Sequence, residues 1–183
     1  MRSIVMGTPW LVRALKAVRE CELPDWAIGA GAIRNVVWDR LHGYAHPTEV
    51  ADVDVAFFDL ADMSEAREEE LEALLGRLLP GVRWDVKNQA GVHLWFHKVF
   101  GYQVEPLVST ADGISTWPET ATAVAVRLTV ADELEVLAPY GLADLLGMVL
   151  RRNPRRVPVA LFRQRLTQKR VTDRWPLVKV IDG

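Results

Sequence analysis

Two aspartates separated by a single residue are the sharpest chemical feature of the sequence. Asp52 and Asp54 alternate with apolar residues, namely Val53, Val55 and Phe57. This alternation predicts a β-strand, on which residues two apart project from the same face. Two carboxylates about 6–7 Å apart repel each other unless a cation or water lies between them. Mg²⁺ takes one or two carboxylates together with water and phosphate oxygens, so the pair is a candidate metal site. The alternative is an exposed strand end.

A third acid follows on a second predicted strand, which runs from Val82 to Lys87. Asp85 and Lys87 alternate there with Trp84 and Val86, so the two charged side chains share one face. If this strand neighbours residues 52–58, three carboxylates meet. Such a set can hold two metal ions for phosphoryl transfer, and its third acid can take a proton from an attacking hydroxyl. Lys87 could neutralise a phosphate. A solvent-facing position is the alternative for Asp85.

A glycine turn precedes these strands. Gly29, Ala30 and Gly31 stand between a short apolar strand at residues 26–28 and a helix that begins near Ile33. Backbone amides at a helix N-terminus can receive a phosphate, and Arg34, one turn on, could contact the same anion. The alternative is a tight turn that needs glycine for backbone reasons. The turn lacks the Gly-Lys-Ser/Thr ending of a Walker A loop and the third glycine of the dinucleotide fingerprint.

Short strands and helices alternate along the chain without a regular βαβ repeat. Apolar spacing and end signals predict further helices over residues 9–21, 64–79, 142–151 and 157–170, and further strands over residues 122–128 and 134–138. This mixture favours an α+β fold around a mixed β-sheet flanked by helices.

Length and charge limit the function classes. The chain has 183 residues, 22 Lys and Arg against 24 Asp and Glu, and a net charge of −2. We therefore expect one domain over residues 1–183, without a global basic field for a long nucleic acid. Residues 140–183 form a helical, basic C-terminal part in this interpretation. Its basic run is either a solvated surface or a wall that receives a polyanionic ligand.

Cysteine content and hydropathy give further exclusions. Cys21 is the only cysteine, which excludes an intramolecular disulfide and a Cys-based zinc cluster. No stretch approaches the about 18 apolar residues of a membrane span, and charges at Arg13, Lys16 and Arg19 interrupt any secretory h-region. We expect a cytoplasmic protein with no membrane partner.

The order of these motifs resembles a known superfamily. A glycine pair after a short strand, an Asp-x-Asp strand and a single acid on a later strand are similar to the DNA polymerase β-like nucleotidyltransferases. The match is closer to a small bacterial nucleotidyltransferase-like family, and the similar stretches are residues 26–38, 52–55, 86–90, 117–122 and 138–144. One departure is that superfamily members usually carry Gly-Ser or Gly-Gly at the turn, whereas Ala30 and Gly31 supply no hydroxyl.

The resemblance implies a polymerase β-like palm fold and metal-dependent transfer of a nucleoside monophosphate from a nucleoside triphosphate to an acceptor hydroxyl. It makes Asp52 and Asp54 ligands of Mg²⁺ or Mn²⁺ and Asp85 the third carboxylate. Gly29 and Gly31 would line the triphosphate. With Ala30, Arg34 and Lys87, they form the expected nucleotide-binding set.

Two other functions stay open at this level. One is a non-catalytic nucleotide-binding or interaction protein on the same fold. The other is a metal-dependent phosphohydrolase, which would release inorganic phosphate where a nucleotidyltransferase releases pyrophosphate. The acceptor of a transfer reaction could be a small molecule, a protein or a short RNA.

Overall fold

The computed structural model describes residues 1–182, and these residues form nine α-helices and seven β-strands. The helices are α1 (Arg2–Met6), α2 (Pro9–Glu20), α3 (Ala30–Leu41), α4 (Glu65–Leu78), α5 (Val92–Phe100), α6 (Thr110–Ile114), α7 (Ala143–Leu146), α8 (Val159–Lys169) and α9 (Val171–Arg174). The strands are β1 (Ala27–Gly29), β2 (Val53–Phe57), β3 (Trp84–Asn88), β4 (Ala125–Leu128), β5 (Leu134–Leu137), β6 (Val149–Arg151) and β7 (Lys179–Ile181).

Five of the strands form one mixed sheet in the order β3-β2-β1-β4-β5. Strands β2 and β3 are parallel, while β1 pairs antiparallel with both β2 and β4, and β4 pairs antiparallel with β5. Helix α4 supplies the crossover between the two parallel strands and contacts β3. The predicted α+β class with a mixed sheet and flanking helices is confirmed.

The sheet has a larger and a smaller buried face. The larger core takes the apolar residues that alternate along the central strands, including Val53, Val55 and Val86. On the other face a small cluster of Ala27, Ile114, Ala123 and Ala125 packs with Trp117. The polar residues of β2 and β3 must point to this second face, because successive side chains of a strand alternate.

Local signals account for several element boundaries. Pro9 begins α2, at a position where an amide hydrogen would have no partner within the helix, so its absence in proline costs nothing. At the start of α4, the Ser64 hydroxyl accepts a hydrogen bond from the amide of Arg67. The helices predicted over residues 9–21, 64–79 and 157–170 are confirmed to within two residues at each end.

The helix predicted over residues 142–151 is wrong beyond its first turn. Helix α7 ends at Leu146, Met148 adopts a positive φ of 54°, and β6 follows, paired parallel with β7. The carbonyl of Arg151 accepts a hydrogen bond from the amide of Thr120, a non-local contact that helical periodicity cannot reveal. The C-terminal part over residues 140–183 is therefore basic but contains a two-stranded sheet beside its helices. Across residues 1–182, every helix falls short of the length and apolar character needed to cross a bilayer.

Candidate active site

Two carboxylates lie side by side on the second face of the sheet. The register of the parallel strands β2 and β3 places Asp54 opposite Asp85, and the antiparallel register of β1 and β2 places Gly29 opposite Asp54. Residues directly opposite each other in neighbouring strands share a face. Asp85, Asp54 and Gly29 therefore form one row across three strands. The sequence predicted that Asp85 would join Asp54 if β2 and β3 were neighbours, but it made no prediction about Gly29 in this row.

Burial and mutual repulsion perturb both carboxylates. Burial, together with the negative charges of Asp52 and Asp85, raises the pKa of Asp54 to about 7. The pKa of Asp85 is also raised, chiefly by burial, although the neighbouring Lys87 ammonium opposes the shift. Asp52 immediately precedes β2 and acts on both groups through its charge. A raised carboxyl pKa means that the folded surroundings stabilise the charged carboxylate less well than water does, and nearby positive charge does not make up the difference.

Lys87 balances part of this negative charge. Its ammonium lies 2.9 Å from a carboxylate oxygen of Glu68, 3.8 Å from Asp85 and 4.0 Å from Glu72. Burial on its own lowers the pKa of Lys87, but the hydrogen bond to Glu68 and the nearby carboxylates raise it overall. Because Glu68 is the nearest partner of Lys87, direct contact between Lys87 and a phosphate stays a prediction.

The carboxylates suit a hard divalent cation that also contacts the substrate. Among residues 1–182 no three or more His, Cys, Asp or Glu side chains lie together so that they could hold a metal ion by themselves. Mg²⁺ does not need such a cage, since it commonly takes one or two carboxylates and completes its shell with water and substrate phosphates. The half-buried Asp54, repelled by its neighbours Asp52 and Asp85, fits that mode of binding.

The glycine turn has a packing role as well as an open face. A Cβ at Gly29 would lie 2.5 Å from the Cη2 atom of Trp117 and 2.8 Å from the Cβ of Ala125, so the indole requires glycine there. Ala30 begins α3 with a positive φ of 51°, a conformation that a non-glycine residue adopts at a cost. A Cβ at Gly31 would meet nothing within 4 Å. Of the two glycines, only Gly31 has open space at its Cβ position, and phosphate binding at the turn stays a prediction.

Arg34 is part of a buried stack. Its guanidinium carbon lies 5.5 Å from the ring centre of Trp38 and 5.6 Å from that of Trp175. The Nη1 and Nη2 groups donate to the side chains of Thr122 and Asn35, and the side chain is 8% exposed. Burial lowers the pKa of Arg34, which also acts on Asp54 through its charge. Phosphate contact by Arg34 stays a prediction, and its visible role is to hold α3 against the C-terminal part.

A cavity of about 240 Å³ opens beside the carboxylates. Asp54, Asp85 and Lys87 line one side of it, whereas Gly29, Ala30, Gly31 and Arg34 do not line it. The remaining walls carry aromatic and apolar side chains, chiefly Trp95, Phe96, Phe100, Tyr102, Trp117 and Leu161. Sequence reasoning missed this aromatic wall. The available signal was the clustering of aromatic residues between positions 95 and 102.

Basic side chains of α8 border the same region. Arg165 lines the cavity and donates to a carboxylate oxygen of the buried Glu119 at 3.1 Å. The positive charge of Lys169 lowers the pKa of Asp54, against the stronger effects that raise it. The predicted basic C-terminal run thus brings two of its charges to the carboxylates, while Arg163 and Arg170 form exposed ion pairs with Asp182 and Asp173.

Comparison with known protein families is consistent with this geometry. The model of a family described as nucleotidyltransferase matches residues 16–180. An NMR structure described as revealing a CCA-adding enzyme head domain superposes with a TM-score of 0.83 at 28% sequence identity, covering 100% of this chain and 96% of that one. No curated protein matches the chain in sequence.

Larger enzymes share the fold. A CCA-adding enzyme in complex with ATP matches with a TM-score of 0.54 at 18% identity, over 95% of this chain and 39% of that one. The Thermotoga maritima CCA-adding enzyme complexed with tRNA matches with a TM-score of 0.52 at 17% identity, over 93% of this chain and 38% of that one. The present chain therefore spans about two fifths of the length of these two enzymes.

Proposed function

Because the chain belongs to the nucleotidyltransferase family, we propose that it transfers a nucleoside monophosphate from a nucleoside triphosphate to an acceptor hydroxyl with the aid of Mg²⁺. The observation that carries the proposal is the pair Asp54 and Asp85, adjacent in the sheet and open to one cavity. Perturbed carboxylates lining a cavity are typical of catalytic sites.

The triphosphate is proposed to bind on the α3 side of the carboxylates. Backbone amides at the start of α3 and the open space at Gly31 offer an anion site. Lys169 supplies positive charge near Asp54 and would take over part of the role of the hydroxyl that the glycine turn lacks. A CCA-adding enzyme of the same fold is known in complex with CTP and with ATP, so these are the first nucleotides to test.

The divalent cation would be held by Asp52 and Asp54, whose repulsion it would relieve. When bound, Mg²⁺ neutralises phosphate charge and polarises the phosphorus centre that is attacked. This pairing is supported by the pKa of about 7 at Asp54, since a carboxyl so poorly compensated gains most from a cation.

The remaining acid, Asp85, is proposed to act as general base. The acceptor hydroxyl loses its proton to the Asp85 carboxylate, and its oxygen forms a bond to the α-phosphorus. The bond between the α-phosphorus and the bridging oxygen breaks, and pyrophosphate leaves with that bonding electron pair. Lys87, 3.8 Å from Asp85, orients this carboxylate.

Calorimetric titration tests the nucleotide site without knowledge of the acceptor. The wild-type protein is titrated with each of the four nucleoside triphosphates, with and without Mg²⁺, beside Asp54→Asn. The exposed Asp173→Asn variant is the control. We expect Mg²⁺-dependent binding that only Asp54→Asn loses. A folded wild-type protein that binds no triphosphate contradicts the proposal.

The released product tests the reaction class. An acceptor mixture is incubated with α-labelled nucleotide, and pyrophosphate and inorganic phosphate are measured separately. Pyrophosphate release that requires Asp85 supports transfer to an acceptor. Inorganic phosphate as the sole product would indicate a phosphohydrolase, and nucleotide binding without any product would indicate a binding protein.

A further inference from the structure

The aromatic wall of the cavity has no part in the nucleotide chemistry proposed above. Phe96 is its centre, with ring centres 4.4 Å from Phe100 and 5.3 Å from Tyr102. Trp95 lies beside Phe96 on the same helix, at 6.1 Å. A helix places residues four apart on one face, so α5 directs Phe96 and Phe100 together. These tilted rings form an apolar wall of the cavity that Asp54 and Asp85 also line.

Arg156 provides one polar group at this wall. Its guanidinium lies 5.5 Å from the ring centre of Phe96, and its Nη2 group donates to the carbonyl of Glu105 at 2.8 Å. The Nη1 group is buried and has no hydrogen-bond partner among residues 1–182. A buried donor without a partner is costly, so a ligand oxygen that drew this guanidinium toward the cavity, which Arg156 lines, would relieve that cost.

The cavity lies on one side of the carboxylates and the glycine turn on the other. Trp117 lines the cavity and also covers Gly29, whereas Ala30 and Gly31 do not line the cavity. Strand β3, which carries Asp85, is the sheet edge away from β1 and the start of α3. A nucleotide bound at α3 would thus leave the aromatic cavity vacant for a second substrate next to Asp85.

We propose that this cavity binds the acceptor, and that the acceptor is a planar, largely apolar small molecule. Its ring system lies against Phe96, a carboxylate or carbonyl oxygen at one end accepts from Arg156 Nη1, and a hydroxyl at the other end reaches Asp85. Aromatic rings stack on such a surface with an energy beyond that of simple burial. The inference rests on the proposed function for the identity of the reaction, but the binding site stands on its own geometry.

A fluorescent probe with this chemistry tests the site directly. 6-Hydroxy-2-naphthoate is flat and carries a hydroxyl and a carboxylate at opposite ends. Its binding is measured by fluorescence anisotropy up to millimolar concentration, with and without saturating Mg²⁺ and ATP or CTP. We expect saturable binding that persists in the presence of nucleotide.

Two variants and two matched controls locate the probe. Phe96→Ala removes the centre of the wall and Arg156→Gln removes the unpartnered donor, and each should weaken binding by about tenfold or more. Leu94→Ala lies on the same helix outside the cavity, and Arg163→Gln removes an exposed arginine of α8, so both should bind as the wild type does. Circular dichroism checks that each variant is folded.

The outcomes separate this inference from the proposed function. Absence of probe binding, or equal binding by all folded variants, overturns the inference. Displacement of the probe by ATP or CTP also overturns it, because the cavity would then hold the nucleobase. Probe binding by a protein that binds no triphosphate keeps the cavity site and contradicts the nucleotidyltransferase proposal. If the wild type and Phe96→Ala transferred α-labelled nucleotide to a tRNA transcript equally well, the acceptor would be an RNA and the inference would be overturned.

Discussion

Asp54 and Asp85 are direct neighbours in the parallel pairing of β2 and β3, and both face one cavity. Neither residue is exceptional in its own strand, where Asp54 lies between the buried Val53 and Val55 and Asp85 between the buried Trp84 and Val86. Their adjacency creates a site with too little positive charge, and Lys87 on the same strand as Asp85 compensates it only in part. This relationship underlies the proposed chemistry and the first of the predictions below.

Replacement of Asp54 should change how stability depends on pH. The folded protein holds a proton on Asp54 up to about pH 7, whereas the ordinary carboxyl pKa is 3.8. The folded state therefore binds more protons between these values, so stability falls as the pH rises from 3.8 to about 7, above which the loss is complete. In EDTA at pH 8.5, Asp54→Asn should melt at least about 3 °C above the wild type, and the difference should shrink at pH 5.

Thermal unfolding at several pH values measures this effect, with Asp173→Asn as the control for loss of an exposed carboxylate. If the melting temperatures of the wild type and Asp54→Asn differ by the same amount at every pH, the pKa of Asp54 is not strongly raised.

The two glycines of the turn should respond differently to alanine. Gly29→Ala places a Cβ 2.5 Å from the Trp117 ring and should destabilise the fold by about 2 kcal/mol or more. In Gly31→Ala the added Cβ lies in open space, and alanine loses less backbone entropy than glycine in a helix such as α3. This variant should therefore stabilise the protein by about 0.5–1 kcal/mol. If phosphates bind there, Gly31→Ala should still weaken triphosphate binding.

Urea denaturation gives the stabilities, and calorimetry gives the affinities of the same two variants. The double variant Gly29→Ala, Trp117→Leu should regain part of the stability lost by Gly29→Ala. Unchanged nucleotide affinity in Gly31→Ala would remove the start of α3 from the proposed triphosphate site.

Arg34→Lys should destabilise the protein even though the charge is retained. Lysine lacks the planar guanidinium that lies against the rings of Trp38 and Trp175, and it cannot donate to Thr122 and Asn35 together. The expected loss is about 1–3 kcal/mol in the free energy of unfolding. Urea denaturation measures it beside Arg163→Lys, an exposed substitution that should change little. Equal stability of both variants would mean that the stack does not contribute to folding.

Lys169→Gln should weaken nucleotide binding without unfolding the protein. Loss of one positive charge beside Asp54 should reduce triphosphate affinity by about threefold to tenfold, with less effect at high salt. Calorimetric titration at two ionic strengths measures this change. Arg163→Gln removes a charge from the same helix at an exposed ion pair and is the comparison. A similar loss of affinity in both variants would indicate a general charge effect and no contact with phosphate.

Several features were predictable because their signals are local. Alternation along residues 52–58 and 82–87 predicted β2 and β3, and Pro9 and Ser64 predicted two helix starts. The C-terminal region was harder. Residues 149–151 have a helix-like apolar pattern, but pairing with β7 and with Thr120 makes them a strand. Strand pairing depends on residues far apart in the chain, which periodicity within one segment does not report.

By itself, the sequence determined which face of its own strand Asp54 and Asp85 each occupy, because side-chain alternation follows from backbone geometry. It put forward Asp52, Asp54, Asp85 and the glycine turn as candidate site residues, and their roles stay predictions. Only the tertiary structure decided that β3 lies next to β2, so that Asp54 and Asp85 meet, and that Trp117 covers Gly29. It also buried Arg34 against two indoles that pack edge to face, and it assembled the aromatic cavity from α5, Tyr102 and α8. These arrangements arise from packing between distant segments, where burial of apolar surface outweighs local preference.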